Sequence, residues 1–101
     1  MEKITDLLDG LRKVDPRLSK ADFSRTYLNR NRTYLNYLEA TGLKAPSAVW
    51  LCAYKAVRKE KADTLMLSNI ALNPVVQNYY ANKISRLDEI TQQIGDKLQI
   101  N

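Results

Sequence analysis

The sequence contains no histidine and one cysteine, and these two shortages remove much of the chemistry that enzymes use. Without an imidazole, the chain lacks the side chain that acts most readily as a general base near neutral pH or as a metal ligand. A single thiol cannot complete a zinc site by itself. The carboxylates show no paired spacing, and no glycine-rich phosphate loop occurs. We therefore expect no catalysis, no metal ion and no other cofactor.

Glycine and proline are also scarce, with three of each in 101 residues, and no apolar run approaches the length of a membrane span. The chain begins without a basic stretch followed by an apolar segment, so we expect no secretory leader. With 45% hydrophobic and 27% charged residues, the composition is typical of a folded globular chain. We expect a cytoplasmic protein with no membrane partner, in which Cys52 is a buried free thiol.

Positive charge is concentrated in the middle of the chain. Residues 1–24 carry five basic and five acidic groups, whereas residues 25–61 carry eight basic groups against two acidic ones. Residues 62–101 carry three basic and four acidic groups, so the net charge of +5 comes from the middle segment. Such a distribution is typical of a protein that binds a polyanion, and a solvated basic face is the alternative interpretation.

The spacing of apolar residues predicts an all-α fold with five or so helices. Apolar side chains recur three and four residues apart from Ile4 to Val14, and Asp15-Pro16 ends this first helix. Ser19 is the predicted N-cap of a second helix, which continues to about Leu28.

A three-residue turn, residues 29–31, is predicted to separate the second helix from a third one that begins near Arg32. Asn29 tolerates a left-handed backbone, and Asn31 is the predicted N-cap of the third helix. Gly42 is expected to end that helix in a left-handed cap.

The fourth predicted helix begins at Pro46-Ser47 and meets no helix breaker before Asn73-Pro74, where a fifth helix begins. The fifth helix carries a heptad seam, which consists of Tyr80, Ile84, Leu87, Thr91, Ile94 and Leu98. We expect these six residues to form a homodimer interface, which makes residues 1–72 the binding domain and residues 73–101 a dimerisation helix. Docking of the seam on the chain's own body is the alternative.

Several short motifs follow one another between Ser19 and Val57. They are Phe23-Ser24, the run from Asn31 to Glu39, Gly42 and Pro46-Ser47. Together they resemble the helix-turn-helix of the phage-repressor and Cro-like family, also called the Xre family. Members of that family have a short recognition helix that ends in a glutamate, then a glycine, then a Pro-Ser that opens the next helix.

Two features of this sequence depart from the family's pattern. Asn29 occupies the position in the turn where the family has a glycine. The segment from Phe23 to the turn is one residue longer than usual, as is the step from Glu39 to Gly42. The tilt of the recognition helix therefore does not carry over directly from the family.

The resemblance implies a nucleoid-associated, sequence-specific transcriptional regulator that binds double-stranded DNA with its third helix in the major groove. Together with the seam of the fifth helix, it predicts a regulator that binds DNA as a homodimer. The residues implied to contact bases are Arg32, Thr33, Asn36 and Tyr37. Arg32 suits guanine and Asn36 suits adenine, because each side chain matches the donor and acceptor pattern of that base. The residues implied to contact the DNA backbone are Lys20, Arg25, Asn29, Arg30, Asn31 and Lys44.

Two other classes of protein fit the same sequence. One is a protein-interaction module, such as an antitoxin or an adaptor, whose basic face binds an acidic partner. The other is an RNA-binding protein in which Tyr27, Tyr34 and Tyr37 stack on bases. Tyr34 falls near the apolar side of the third helix, so we expect it to pack beneath the turn.

Overall fold

The computed structural model describes residues 1–100, and in that range it contains five helices and no strand. The helices, in chain order, are α1 (Ile4–Arg12), α2 (Lys20–Thr26), α3 (Tyr34–Thr41), α4 (Ser47–Ile70) and α5 (Pro74–Leu98). The predicted all-α fold is confirmed. No helix in the described range has the length and apolarity that crossing a membrane requires.

Three helix boundaries follow from capping residues that the sequence made visible. The Ser19 hydroxyl accepts a hydrogen bond from the Asp22 amide at 3.0 Å, which caps α2. Gly42 ends α3 in the left-handed region, with φ 69°. The Asn73 side chain accepts a hydrogen bond from the Val75 amide at 2.7 Å, and Pro74 is the first helical residue of α5. These three predictions are confirmed.

The connection between α2 and α3 is longer than predicted. It comprises residues 27–33, because α2 ends at Thr26 and α3 begins only at Tyr34. Asn29 adopts the left-handed conformation expected of it, with φ 53°. The Asn31 side chain accepts hydrogen bonds from the amide and the hydroxyl of Thr33, at 3.1 and 2.9 Å. Asn31 therefore caps a turn before the helix, and the prediction that α3 begins near Arg32 is wrong by two residues.

One hydrophobic core joins all five helices at the end of the molecule where α1, α2 and α3 surround α4 and α5. Phe23 and Leu35 from α2 and α3 are fully buried there. The remaining core residues are Ile4, Leu7, Leu8, Leu11, Leu18, Tyr27, Leu28, Leu38, Val49, Trp50, Ala53, Val57, Leu87, Ile90 and Ile94. We call this end the body. Cys52 was expected to be buried in it, but its side chain is a half-buried free thiol.

Helix α5 docks on its own chain, which is the alternative that the heptad seam left open. Leu87 and Ile94 are fully buried in the core of the body, and Thr91 donates its hydroxyl to the Leu87 carbonyl. These two side chains have no exposed surface to offer to a second chain, so the predicted dimer interface is wrong for them. The division at residue 72 likewise does not separate two units, because α5 shares the core of residues 1–72.

Helices α4 and α5 form an antiparallel hairpin whose far end extends beyond this core. The molecule measures 47 × 29 × 17 Å along its principal axes. Within the described chain, no residue between Thr64 and Leu87 is buried. Two ion pairs join the helices next to this segment, Lys61 to Asp88 at 2.6 Å and Lys83 to Glu60 at 2.8 Å. We call residues 65–82 the hairpin tip.

Candidate nucleic-acid interface

Helix α3 is fixed to the body on one side and exposed on the other. Leu35 and Leu38 are buried in the core. The buried Ser24 hydroxyl of α2 accepts a hydrogen bond from the Leu35 amide at 3.3 Å. Because successive helical positions differ by about 100°, Asn36 and Tyr37 then point away from the core, and both are exposed. The first helical turn of α3 is therefore held in place while its outer side chains face solvent.

The segment before α3 is ordered by hydrogen bonds of its own backbone. The Arg30 amide donates to the Ser24 carbonyl at 3.0 Å, and the Tyr34 amide donates to the Asn31 carbonyl at 3.1 Å. The Arg30 guanidinium lies 5.8 Å from the centre of the Tyr34 ring and donates to the Asn29 carbonyl at 3.1 Å. Residues 29–33 thus form a defined turn that carries two arginines.

Arg32 and Asn36 are the predicted base-reading residues whose side chains are free to bind. Within residues 1–100, neither side chain makes a hydrogen bond, an ion pair or a ring contact. Thr33, by contrast, uses both its amide and its hydroxyl on Asn31. Tyr37 is 53% exposed and its ring lies 6.4 Å from that of Tyr34. Arg32, Asn36 and Tyr37 are therefore all exposed around the beginning of α3.

The predicted phosphate-binding residues are less uniform, because two of them have acidic partners in the chain. Lys20 pairs with Glu39 at 3.1 Å, and Arg25 pairs with Asp22 at 2.8 Å. The hydrogen bond from Arg25 lowers the pKa of the Asp22 carboxyl below its ordinary value, and the hydrogen bond from Ser19 adds to this effect. Arg30, another of the predicted phosphate-binding residues, has no acidic partner within residues 1–100, so its positive charge remains available close to Arg32 in the sequence.

Two further features of this region bear on phosphate binding. Lys44 follows the C-terminus of α3 and lines a groove of about 960 Å³ that Glu2 and Glu39 also line. It therefore lies at the opposite end of α3 from Arg32. Two backbone amides near the start of α3 are already occupied, since the Thr33 amide donates to Asn31 and the Leu35 amide donates to Ser24. Side chains rather than these amides remain available to an anion.

The tyrosines are distributed in a way that disfavours a path for stacked single-stranded bases. Tyr27 is buried in the core, and burial raises the pKa of its hydroxyl to about 12. Tyr34 is half-buried against the core, as expected, and Tyr37 is exposed. Of the three proposed stacking platforms, one is open to solvent over its larger part.

Helix α4 carries a basic surface. Its residues contribute to the positive charge of residues 25–61, but they are not among the DNA-binding residues predicted from the sequence. Lys55, Arg58 and Lys59 are all exposed, and the Arg58 guanidinium lies 5.5 Å from the centre of the Tyr54 ring. Lys55 and Lys59 are one helical turn apart and have no acidic partner within residues 1–100. Their spacing of four residues in a predicted helix was the signal that could have identified them.

Comparison with known proteins yields no match, whether to a family model, to a curated protein or to a solved structure. The resemblance to the helix-turn-helix family therefore stays a prediction, based on the motifs between Ser19 and Val57. The longer connection between α2 and α3 is a further departure from that family, in which the turn is typically three or four residues long.

Proposed function

We propose that this chain binds double-stranded DNA in a sequence-specific manner and acts as a transcriptional regulator. The surface involved is the turn of residues 29–33 together with the exposed side of α3. The observation that carries the proposal is the pair Arg32 and Asn36, whose side chains have no partner within residues 1–100 and whose backbone is held in place by hydrogen bonds of neighbouring residues.

The dimensions of α3 suit the proposed role. With its side chains, an α-helix is on the order of 10–12 Å across, similar to the width of the major groove of B-DNA, and the eight residues of α3 give about two turns that could lie in it. Arg32 can donate two parallel hydrogen bonds to guanine, and Asn36 can both donate to and accept from adenine. Since the core and Ser24 already fix α3, binding needs to order few groups apart from these side chains.

We assign the part of the DNA affinity that does not depend on base sequence to the cations that have no acidic partner within residues 1–100. Arg30 is adjacent to the reading residues, and Lys55 and Lys59 add positive charge on α4. Each cation that neutralises a phosphate releases condensed counterions, so binding should weaken as salt is raised. Lys20 and Arg25 are expected to contribute less, because their ion pairs with Glu39 and Asp22 would first have to open.

Selection of bound fragments from random duplex DNA tests the proposal. The wild-type chain should enrich one base pattern, and Arg32→Ala should relax the choice at one or two of its positions. Arg86→Ala is the matched control, since it removes the same charge from an exposed α5 side chain outside the proposed surface. Enrichment of no pattern by the wild type, or equal relaxation by both variants, would contradict sequence-specific binding at this surface.

A further inference from the structure

Most of the exposed large apolar side chains in residues 1–100 lie in the hairpin tip. Four of them are more than two thirds exposed: Leu72 at 95%, Val75 at 77%, Ile70 at 73% and Met66 at 69%. Leu65, Leu67, Val76 and Tyr79 are also exposed there. Soluble monomers rarely expose so many neighbouring apolar side chains, and such a surface is typical of an interaction site.

The tip is well formed although it has no core. The Asn73 cap and Pro74 begin α5, and the Gln77 side chain donates to the Ala71 carbonyl at 2.6 Å. The ion pairs of Lys61 and Lys83 join the two helices next to the tip. Its apolar side chains therefore stand on a defined hairpin rather than on a loose chain end.

Charge is absent from this surface. The segment 64–82 contains no aspartate, glutamate, lysine or arginine, although 27% of the whole chain is charged. An acidic or a basic partner would find no charge there to pair with. Two copies of a chain with net charge +5 repel each other elsewhere, but two copies of the tip can meet without placing like charges together.

The same charge pattern argues against a membrane as the occupant. Tips that insert into anionic lipid are usually helped by cations that flank the apolar surface. The two cations nearest this tip in the sequence, Lys61 and Lys83, are already paired with Asp88 and Glu60. Asp63 adds a negative charge at the same level of the hairpin. A second copy of the tip fits this surface better than lipid does.

The apolar area around the tip, summed over all its sides, is comparable with the area that a standard interface buries on each partner. A large side chain exposes on the order of 150–200 Å² when it is fully accessible, so the eight exposed residues offer on the order of 800 Å². A standard protein–protein interface buries about that area on each partner. A two-fold contact uses the same patch on both copies, and two antiparallel hairpins packed together make a four-helix arrangement.

We propose that the hairpin tip, residues 65–82, is a homodimerisation surface through which two copies of the chain pack their α4–α5 hairpins together. This site replaces the seam of α5, whose central residues are occupied by the chain's own core. The inference depends on the tip alone and holds whether or not the body binds DNA.

Sedimentation equilibrium of the full chain without DNA, from about 1 to about 100 µM, tests the proposal. The wild type should be dimeric at the upper concentrations. The double variant Leu72→Asp/Val75→Asp should weaken dimerisation at least about 100-fold, because it places unpaired carboxylates in an apolar interface. The fold should survive, since both positions are exposed and position 75 lies in the first turn of α5, where a negative charge is favourable.

A matched control carries the same two added charges outside the tip. Leu43→Asp/Leu51→Asp changes two exposed leucines near the body and should leave the dimer unchanged. Circular dichroism should show the same helix content in the wild type and in both variants. A wild type that is monomeric at about 100 µM would overturn the proposal, as would a dimer that resists the tip variant.

Co-sedimentation with vesicles that contain anionic lipid separates the membrane alternative from self-association. We expect the wild type to stay in the supernatant. A monomeric wild type that sediments with the vesicles, and loses this property with Leu72→Asp/Val75→Asp, would assign the tip to a lipid surface and overturn the dimer.

Discussion

The two ends of the α4–α5 hairpin have similar helical structure but different surroundings. At the body, Val57 and Leu87 are fully buried among residues from the other helices. At the tip, no residue of the segment 65–82 is buried, although the helices continue without a break up to the turn. The two helices therefore form even where their side chains are exposed. How much each side chain contributes to the free energy of unfolding, by contrast, depends on whether it is buried.

The two ends also differ in charge, and this difference matters for binding. The turn before α3 at the body carries two arginines, and the middle of α4 carries three further exposed cations. The tip has no charged residue. The positive charge of the body attracts a polyanion to that end of the hairpin. The tip carries no charge, so two copies of this positively charged chain can meet there without placing like charges together.

The largest expected difference between the two ends is in the cost of truncating a leucine. Leu87→Ala should lower the free energy of unfolding by about 2–5 kcal/mol, because it leaves a cavity in the core. Leu72→Ala should change it by less than about 0.5 kcal/mol at protein concentrations too low for self-association. Urea denaturation followed by circular dichroism measures both. Equal costs would show that the tip is packed or that the core is not.

A smaller effect is expected where α3 is attached to α2. Ser24→Ala removes the buried hydroxyl that accepts the Leu35 amide, which should cost about 1–3 kcal/mol. Ser85→Ala, on the exposed side of α5, is the control and should be near neutral. Hydrogen exchange of the Leu35 amide should quicken in the Ser24 variant. An unchanged exchange rate would mean that Ser24 does not position α3.

The body should also respond to alkaline pH through Tyr27. Burial raises the pKa of its hydroxyl to about 12, and the carboxylates of Glu60 and Asp15 act in the same direction. The folded state therefore keeps a proton that the unfolded state releases, so stability is full below about pH 10 and falls as the pH rises toward 12. Tyr27→Phe should make this fall shallower in urea titrations. An identical pH dependence in both proteins would contradict the assignment.

Local sequence signals predicted several of the helix boundaries. Ser19, Gly42 and Asn73-Pro74 each fix a boundary through their own backbone or side chain, so neighbouring residues suffice to identify them. The start of α3 was misplaced because Asn31 can cap either a helix or a turn, and distant contacts such as that between Ser24 and Leu35 decide between the two.

Contacts between distant helices explain the remaining differences. A heptad seam identifies the apolar side of α5 but does not tell which surface covers that side. In this structure the chain's own body covers it. The pairing of Lys20 with Glu39 joins α2 to α3 and was not visible in either helix alone. The pairing of Arg25 with Asp22 could have been anticipated, since the two residues are three apart on one helix. The absence of charged residues from segment 64–82 is also visible in the sequence and could have identified the hairpin tip as a distinct surface.

The most direct test of DNA binding at the body is fluorescence anisotropy with a duplex that carries the selected site, measured at several salt concentrations. For the wild type, log affinity should fall linearly with log salt, by about 0.9 for each phosphate neutralised. Arg32→Ala should cost about 1–3 kcal/mol on this duplex and little on an unrelated one, whereas Arg86→Ala should cost equally little on both. Affinity that is independent of salt, or the same for every duplex, would contradict the proposed function.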